Sequence, residues 1–243
     1  MKKNLLVSLC LGTVFAVASQ ANASSCQINS GAYAGISAGI SHLSGKSIFN
    51  QSNTAALNSH PYNAGKLSAN SIAAAVFGGY GMKLGSFWTA AELFYQFDNL
   101  KNKDLFSGED TTTAARLTRS LKSSGAWGGA LHLGYVINNS CVAYAIAGAE
   151  VRRFKVSFSS ASAQNANAIS KNYTSIAFVP GLGVRFSLAK NLSLRTEYKY
   201  AMHRSKSFSD TRANPNAGGG RDTTTLKNSP AVHSLNLGLV YSF

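Results

Sequence analysis

The sequence predicts an all-β fold: a single eight-stranded antiparallel up-and-down β-barrel that crosses a membrane with its strands. Short turns join the strands at one rim and long loops at the other. Three observations predict it. First, the last nine residues alternate. Leu235, Leu237, Leu239, Tyr241 and Phe243 are apolar, Asn236, Gly238 and Ser242 between them are small or polar, and only Val240 breaks the pattern. Period-2 alternation of this length reads as a strand with two different faces. Second, charged residues make up 13% of the 243, against ~25% in a soluble domain. A wall with lipid on one face and small or polar side chains on the other needs few charges. Third, long and short connections alternate along the whole chain.

The N-terminus comes first. Met1-Lys2-Lys3 is followed by a nearly unbroken apolar run from Leu5 to Ala18 and then by Ala21-Asn22-Ala23. A basic start, an apolar core and a small-x-small site predict a secretory signal over residues 1–23, cleaved after Ala23. The run is shorter than the ~20 residues of a spanning helix, and no later stretch reaches 18 apolar residues. Residues 24–243 are then one exported barrel domain. Its net charge is +14 for the whole chain and +12 once Lys2 and Lys3 leave.

Eight segments read as strands: 31–42, 70–82, 88–98, 123–137, 141–153, 173–187, 192–203 and 231–243. The clearest alternation sets Leu93, Tyr95 and Phe97 against Glu92, Phe94 and Gln96. Trp127, Leu131, Leu133, Tyr135 and Ile137 likewise stand against Gly128, Ala130, His132 and Gly134. The segment Ile72 to Phe77 is apolar on both faces and leaves its facing open. Pro180 removes a ladder donor inside a strand and suggests a local bulge. The connections 83–87, 138–140 and 188–191 are short; 43–69, 99–122, 154–172 and 204–230 are long. Membrane barrels keep short periplasmic turns and long outer loops, so both termini are expected in the periplasm. A soluble barrel such as a lipocalin would put its apolar, aromatic-rich face inside, and here that face opposes glycine and charge.

Tyr33-Ala34-Gly35-Ile36-Ser37-Ala38-Gly39, Ala91-Glu92-Leu93-Phe94-Tyr95, Arg195-Thr196-Glu197-Tyr198-Lys199-Tyr200 and His233 to Phe243 resemble the strand patterns of small bacterial outer-membrane barrels. These are the opacity-protein, OmpX and OmpA-transmembrane type. The resemblance implies residence in the Gram-negative outer membrane as a monomer among lipid and lipopolysaccharide, and a structural, adhesive or antigenic role. Other members are small porins that conduct ions or solutes. It also implies that Leu239, Tyr241 and Phe243 form a C-terminal signal read by the barrel assembly machinery. Host surface molecules become candidate partners of the long loops.

Charge at the lipid midplane costs ~2–4 kcal/mol for Arg or Lys, so mid-strand charges should face inward. The candidates are Glu92, Glu150, Arg152, Arg185, Arg195, Glu197 and Lys199. An eight-stranded interior is just wide enough to be filled by side chains. Three acids and four bases at such packing are expected to form an ion-pair plug, with His132, Gln96 and Asn236 as neutral partners. The alternative is a narrow ion path. Basic residues also gather where strands meet loops: Arg116, Arg119 and Lys122, Arg153 and Lys155, Arg204 and Lys206. They suggest a collar for lipopolysaccharide phosphates; ordinary loop solubility is the alternative. Nucleic acid is not an expected partner of an exported chain.

Cys26 precedes the first strand and Cys141 opens the fifth, and the periplasm permits disulfides. Their pairing is open, against two free thiols. Ala23-Ser24-Ser25-Cys26 imitates a lipobox only loosely, because polar Ser19, Gln20 and Asn22 interrupt it. Barrel lipid A deacylases carry His-x-Ser with an acidic partner on the next strand. His203-Arg204-Ser205 matches superficially, but Ala231 to Phe243 holds no acid, so no enzyme is expected. No cofactor or metal motif appears in the sequence.

Overall fold

The computed structural model describes residue 28 and residues 30–53, 59–62, 66–107, 116–161, 168–213 and 221–243. The predicted export segment, its expected cleavage point after Ala23 and Cys26 lie outside these. Ten strands are described: β1 (Gly31–Asn53), β2 (Ser59–Tyr62), β3 (Lys66–Leu84), β4 (Phe87–Ser107), β5 (Arg116–Asn138), β6 (Cys141–Ala161), β7 (Ala168–Ser187), β8 (Leu192–His203), β9 (Lys206–Ala213) and β10 (Arg221–Ser242). Eight of them form an antiparallel ring. β10 pairs with β1 from Tyr33↔Ser242 to Asn53↔Asp222 and closes it. β2 and β9 are annexes that pair with the outer extensions of β1 and β10.

The ring turns its apolar residues outward. Leu93 is 73% exposed and Ile72 83%, and Leu131, Leu133, Phe178 and Leu182 face the same way. In water this would be an unmanageable surface; against hydrocarbon it is the stable one. The facing of β3 follows from its neighbours. Ile72, Val76, Tyr80 and Met82 point out, while Leu67, Ala73, Ala75 and Phe77 point in. Glycine makes room inside: a Cβ on Gly35 would stand 2.3 Å from the Phe77 ring.

Turns at the rim that carries the C-terminus, called here the inner rim, are tight. Gly85 takes a left-handed φ of 62° between β3 and β4, as a two-residue hairpin requires. The outer halves differ from the sequence expectation. Strands predicted to stop near 42, 98 and 153 run on into residues read as loop, and past 203, where β8 ends as expected, a separate strand β9 forms in a predicted loop. Serine and threonine join across these pairings, as in Ser209–Thr225 and Thr211–Thr223, both 3.1 Å. Above the lipid both faces meet water, so a strand there needs no alternation, and periodicity cannot reveal it.

Two other departures are local. Pro180 makes no bulge. Pairing of β7 with β8 lapses at Val179 and Pro180 and resumes at Gly181↔Lys199 in unchanged register. The bulge sits on β4 and β5 instead, where Phe97 and Asp98 oppose Gly125. Gly125 has φ 75°, and a Cβ there would lie 2.8 Å from the Gln96 carbonyl oxygen. Only glycine meets both demands cheaply. The bulge reverses the facing of β5. Leu121 and Ser123 point in above it, Ala126, Gly128 and Ala130 below it, and Lys122 is turned outward.

Candidate functional site: the barrel lumen and the basic outer face

The inward residues of the ring converge on a lumen with three layers. The middle one is ionic. Arg195 on β8 forks onto Glu92 of β4, with Nη2 donating to Oε1 at 3.1 Å, and its Nη1 lies 3.3 Å from Glu197. Lys199 reaches Glu197 at 3.6 Å. Two tyrosines donate into the same carboxylates, Tyr144 to Glu197 at 2.8 Å and Tyr33 to Glu92 at 3.1 Å. Phe77 lies under the Arg195 guanidinium and Phe94 under the Lys199 ammonium, which adds cation–π attraction.

A second ionic group lies further out. Arg152 on β6 donates to both carboxylate oxygens of Asp98, at 2.7 and 2.8 Å, and through Nε to Glu150 at 3.1 Å. His203 Nε2 stands 3.3 Å from Glu150. Gln96 donates to Asp98 at 2.9 Å and to Ser41 at 3.0 Å. Asp98 is a member that the sequence reading missed. It shares the inward parity of Glu92 and Gln96, and this was the available signal. The Gly125 bulge also reaches it, since the Gly125 N–H donates to Asp98 Oδ1 at 3.3 Å.

All seven residues singled out for the interior are buried, but they do not form one network. Arg185 stands apart near the inner rim. Its Nη2 donates to Ser242 at 2.8 Å, and its guanidinium lies 5.3 Å from the Tyr33 ring centre and 5.9 Å from that of Trp88. No carboxylate pairs with it among the described residues. His132 stacks on Tyr144 at 5.1 Å, and Asn236 makes no side-chain hydrogen bond there. With Asp98 counted, four buried acids share the lumen with four bases, of which three meet a carboxylate.

The ionic groups lie between apolar layers, which the sequence reading did not anticipate. Toward the outside, Leu43, Leu67, Leu100, Leu121, Phe154 and Val232 meet across the lumen, and Leu43 and Leu100 are fully buried at 0% exposure. Toward the inner rim, Ile28, Trp88, Phe94, Val142, Tyr144 and Val240 form a largely aromatic floor.

The outer surface carries a polar ring above its apolar wall. On one side Lys101, Lys122 and Lys155 stand in direct register on β4, β5 and β6, all outward and exposed. Lys103 and Arg153 flank them, also exposed. None is ion-paired among the described residues. Lys101 and Lys103 were not in the predicted collar. Arg204 and Lys206 are exposed but lie elsewhere, Arg204 between β8 and β9 and Lys206 at the start of β9. Arg116 and Arg119 are on β5, and their side chains lie outside the described residues. On the opposite side of the ring His42 meets Asn70 at 2.6 Å, and His233 meets Ser44 at 3.1 Å and Tyr198 at 2.7 Å. His203 and Ser205 are not partners: His203 turns inward to Glu150, and Ser205 bonds Ser229 at 2.6 Å.

A closed antiparallel ring with an apolar exterior and a charged, filled interior is an integral outer-membrane β-barrel. The chain belongs to the OmpA-like transmembrane domain family, whose model matches residues 27–243. No curated relative matches it by sequence. Similar solved structures include the attachment invasion locus protein Ail of Yersinia pestis, at 12% identity and TM-score 0.35, covering 85% of this chain and 99% of that one. OprG of Pseudomonas aeruginosa is 14% identical with TM-score 0.46, covering 90% and 100%. The outer membrane protease OmpT of Escherichia coli is 10% identical with TM-score 0.48, also covering 90% and 100%.

Removing one partner of a buried ion pair strands the other charge and costs ~3–5 kcal/mol. Arg195→Met leaves Glu92 and Glu197 without their shared counter-ion. We expect its unfolding free energy in detergent, from urea titration read by tryptophan fluorescence, to fall by that much, with a lower midpoint. Adding Glu92→Gln should restore part of the loss. An unchanged midpoint would show that the pair is not desolvated.

Proposed function

We propose that this protein is a non-enzymatic outer-membrane surface barrel whose lumen is sealed. Its termini lie in the periplasm, and its extended outer strands present a structural, adhesive or antigenic face. The observation that carries the sealed reading is the layering of the lumen. A conducting path needs continuous polar space, and here apolar layers stand above and below an ionic middle that neutralises itself. Eight strands enclose little more than their own side chains. The small-porin alternative needs both apolar layers to part together. Leu239, Tyr241 and Phe243 point outward on the closing strand, a disposition that suits reading by the assembly machinery.

The basic row on β4–β6 supports a lipopolysaccharide-binding role. Five cations without an ion-pair partner among the described residues stand at the upper edge of an apolar wall, the height at which phosphates of the outer leaflet lie, and Arg and Lys pair well with phosphate. The unequal distribution of charge makes this a one-sided patch rather than an even collar. An isolated exposed cation contributes little; a row in register can hold one polyanionic headgroup at several points.

Purified full-length protein in planar bilayers should show no steady openings; sustained channels of uniform conductance would overturn the sealed reading. Replacing Lys101, Lys122, Arg153 and Lys155 together by Gln should lower co-purifying lipopolysaccharide several-fold with the barrel still folded, and equal retention would count against the patch. For the outer face, host-cell binding by bacteria carrying the intact protein is compared with binding after residues 204–230 are shortened. Loss of binding is expected, and undiminished binding would remove the adhesive role from that region.

A further inference from the structure

One strip of the lipid-facing wall is hollow. Along β6 the outward residues are Ala143, Ala145, Ala147, Ala149 and Val151. The strands on either side present large side chains at the same levels. On β5, Leu133, Leu131 and Trp127 stand in register with Ala145, Ala147 and Val151. On β7, Leu182, Phe178 and Ile176 stand in register with Ala145, Ala149 and Val151. All six are more than half exposed. The result is a furrow with an alanine floor and two tall walls. It joins a hollow of about 660 Å³ lined by Leu93, Gly129, Leu131, Ala147, Ala149 and Phe178.

The furrow ends at positive charge. Above Val151 the same face of β6 carries Arg153 and Lys155, both exposed. Lys122 stands beside Lys155 in direct register. Strict alternation upward from Trp127 would turn Lys122 inward, and the Gly125 bulge brings it to this face. From Arg153 down to Ala147 is six residues, ~20 Å along the strand at ~3.4 Å each. A strand tilt near 45° makes that ~14 Å of depth, close to half of a ~30 Å hydrocarbon core. The furrow therefore spans one leaflet, with its cations at the headgroup level.

Hydrocarbon tails are as apolar as leucine, so an apolar hollow in a membrane gains nothing from water exclusion and selects by shape. A chain lying in the furrow touches protein on three sides instead of one, and each added contact contributes dispersion. A headgroup already held above makes seating of its own chain an intramolecular step. Charge and shape on β6 thus fit one kind of occupant, a lipid with phosphate at its head. We propose that the β6 furrow seats one acyl chain of a lipopolysaccharide molecule whose phosphate is held by Arg153 and Lys155. The proposal rests on the lipopolysaccharide reading of the basic row and adds the place of the lipid's tail.

The chain provides its own reporter. Of its two tryptophans, Trp88 is buried in the lumen floor and Trp127 stands in the furrow wall. Full-length protein is reconstituted in vesicles of phosphatidylcholine with brominated chains, which quench a tryptophan that they touch. Unbrominated lipid A is then titrated in. The Trp127 emission should recover several-fold more than dilution of the brominated lipid accounts for. Ala147→Leu and Ala149→Leu fill the floor with side chains that lipid accepts, and together they should bring recovery down to the dilution line. Recovery on that line in the unaltered protein would overturn the proposal, as would surplus recovery that survives both substitutions. Recovery that rises with protein density and without lipid A would assign the furrow to a second copy and overturn it too. Co-purification separates the two readings. If the Gln variant of the basic row still loses lipopolysaccharide while Trp127 follows dilution, the furrow fails and the headgroup site stands; if neither responds, both fail.

Discussion

No water is available in hydrocarbon to satisfy a backbone N–H or carbonyl, so a strand can cross a membrane only if both its edges are paired. The β1–β10 seam meets this constraint here, with partners running from Tyr33↔Ser242 to Asn53↔Asp222. The other features follow from closure. Once the sheet is a ring, each strand has one face toward lipid and one toward a lumen too narrow for bulk water. The apolar half of every alternation must then go out, and whatever is polar must find its partners inside.

The interior meets that demand through pairing across the ring as well as within single strands. Arg195 reaches Glu92 and Arg152 reaches Asp98, each from another side of the lumen. Such contacts act as cross-braces between strands that have no backbone bonds with each other. Their energetic value against an apolar filling is modest, because desolvation offsets much of the attraction. Their value to registry is greater. A slip of one residue turns every side chain of a strand to the opposite face, which in β8 would drive Arg195, Glu197 and Lys199 into lipid together.

The wall was legible in the sequence because lipid enforces strict alternation. Leu93, Tyr95 and Phe97 against Glu92, Phe94 and Gln96 could be read directly, and the short turns at 84–86 and 138–140 had the right chemistry. The outer halves of the strands were not legible, since water on both faces allows Ser and Thr anywhere. The apolar upper layer of the lumen was hidden by the Gly125 bulge. Carrying the facing of Gly128 and Ala130 upward by alternation would put Lys122 inside and Leu121 outside. The bulge reverses this, and Ser123-Ser124-Gly125 gives only a faint hint of it. Arg185 fits neither ionic group because aromatic rings solvate it in place of a carboxylate, and charge counting cannot foresee that.

The strand extensions above the polar ring have a mechanical meaning. β1 continues for about ten residues past His42, and at ~3.4 Å per residue with a strand tilt near 45° this lifts its tip about 25 Å. A paired ribbon of this height is a stiff mast, unlike a free loop of equal length. Whatever touches its upper pairs meets a surface already ordered, so contact costs little further conformational entropy. It also meets side chains brought together from separate stretches of chain. An antibody raised against the folded mast would accordingly recognise a shape assembled from β1, β9 and β10, and would be blind to each stretch alone as a peptide.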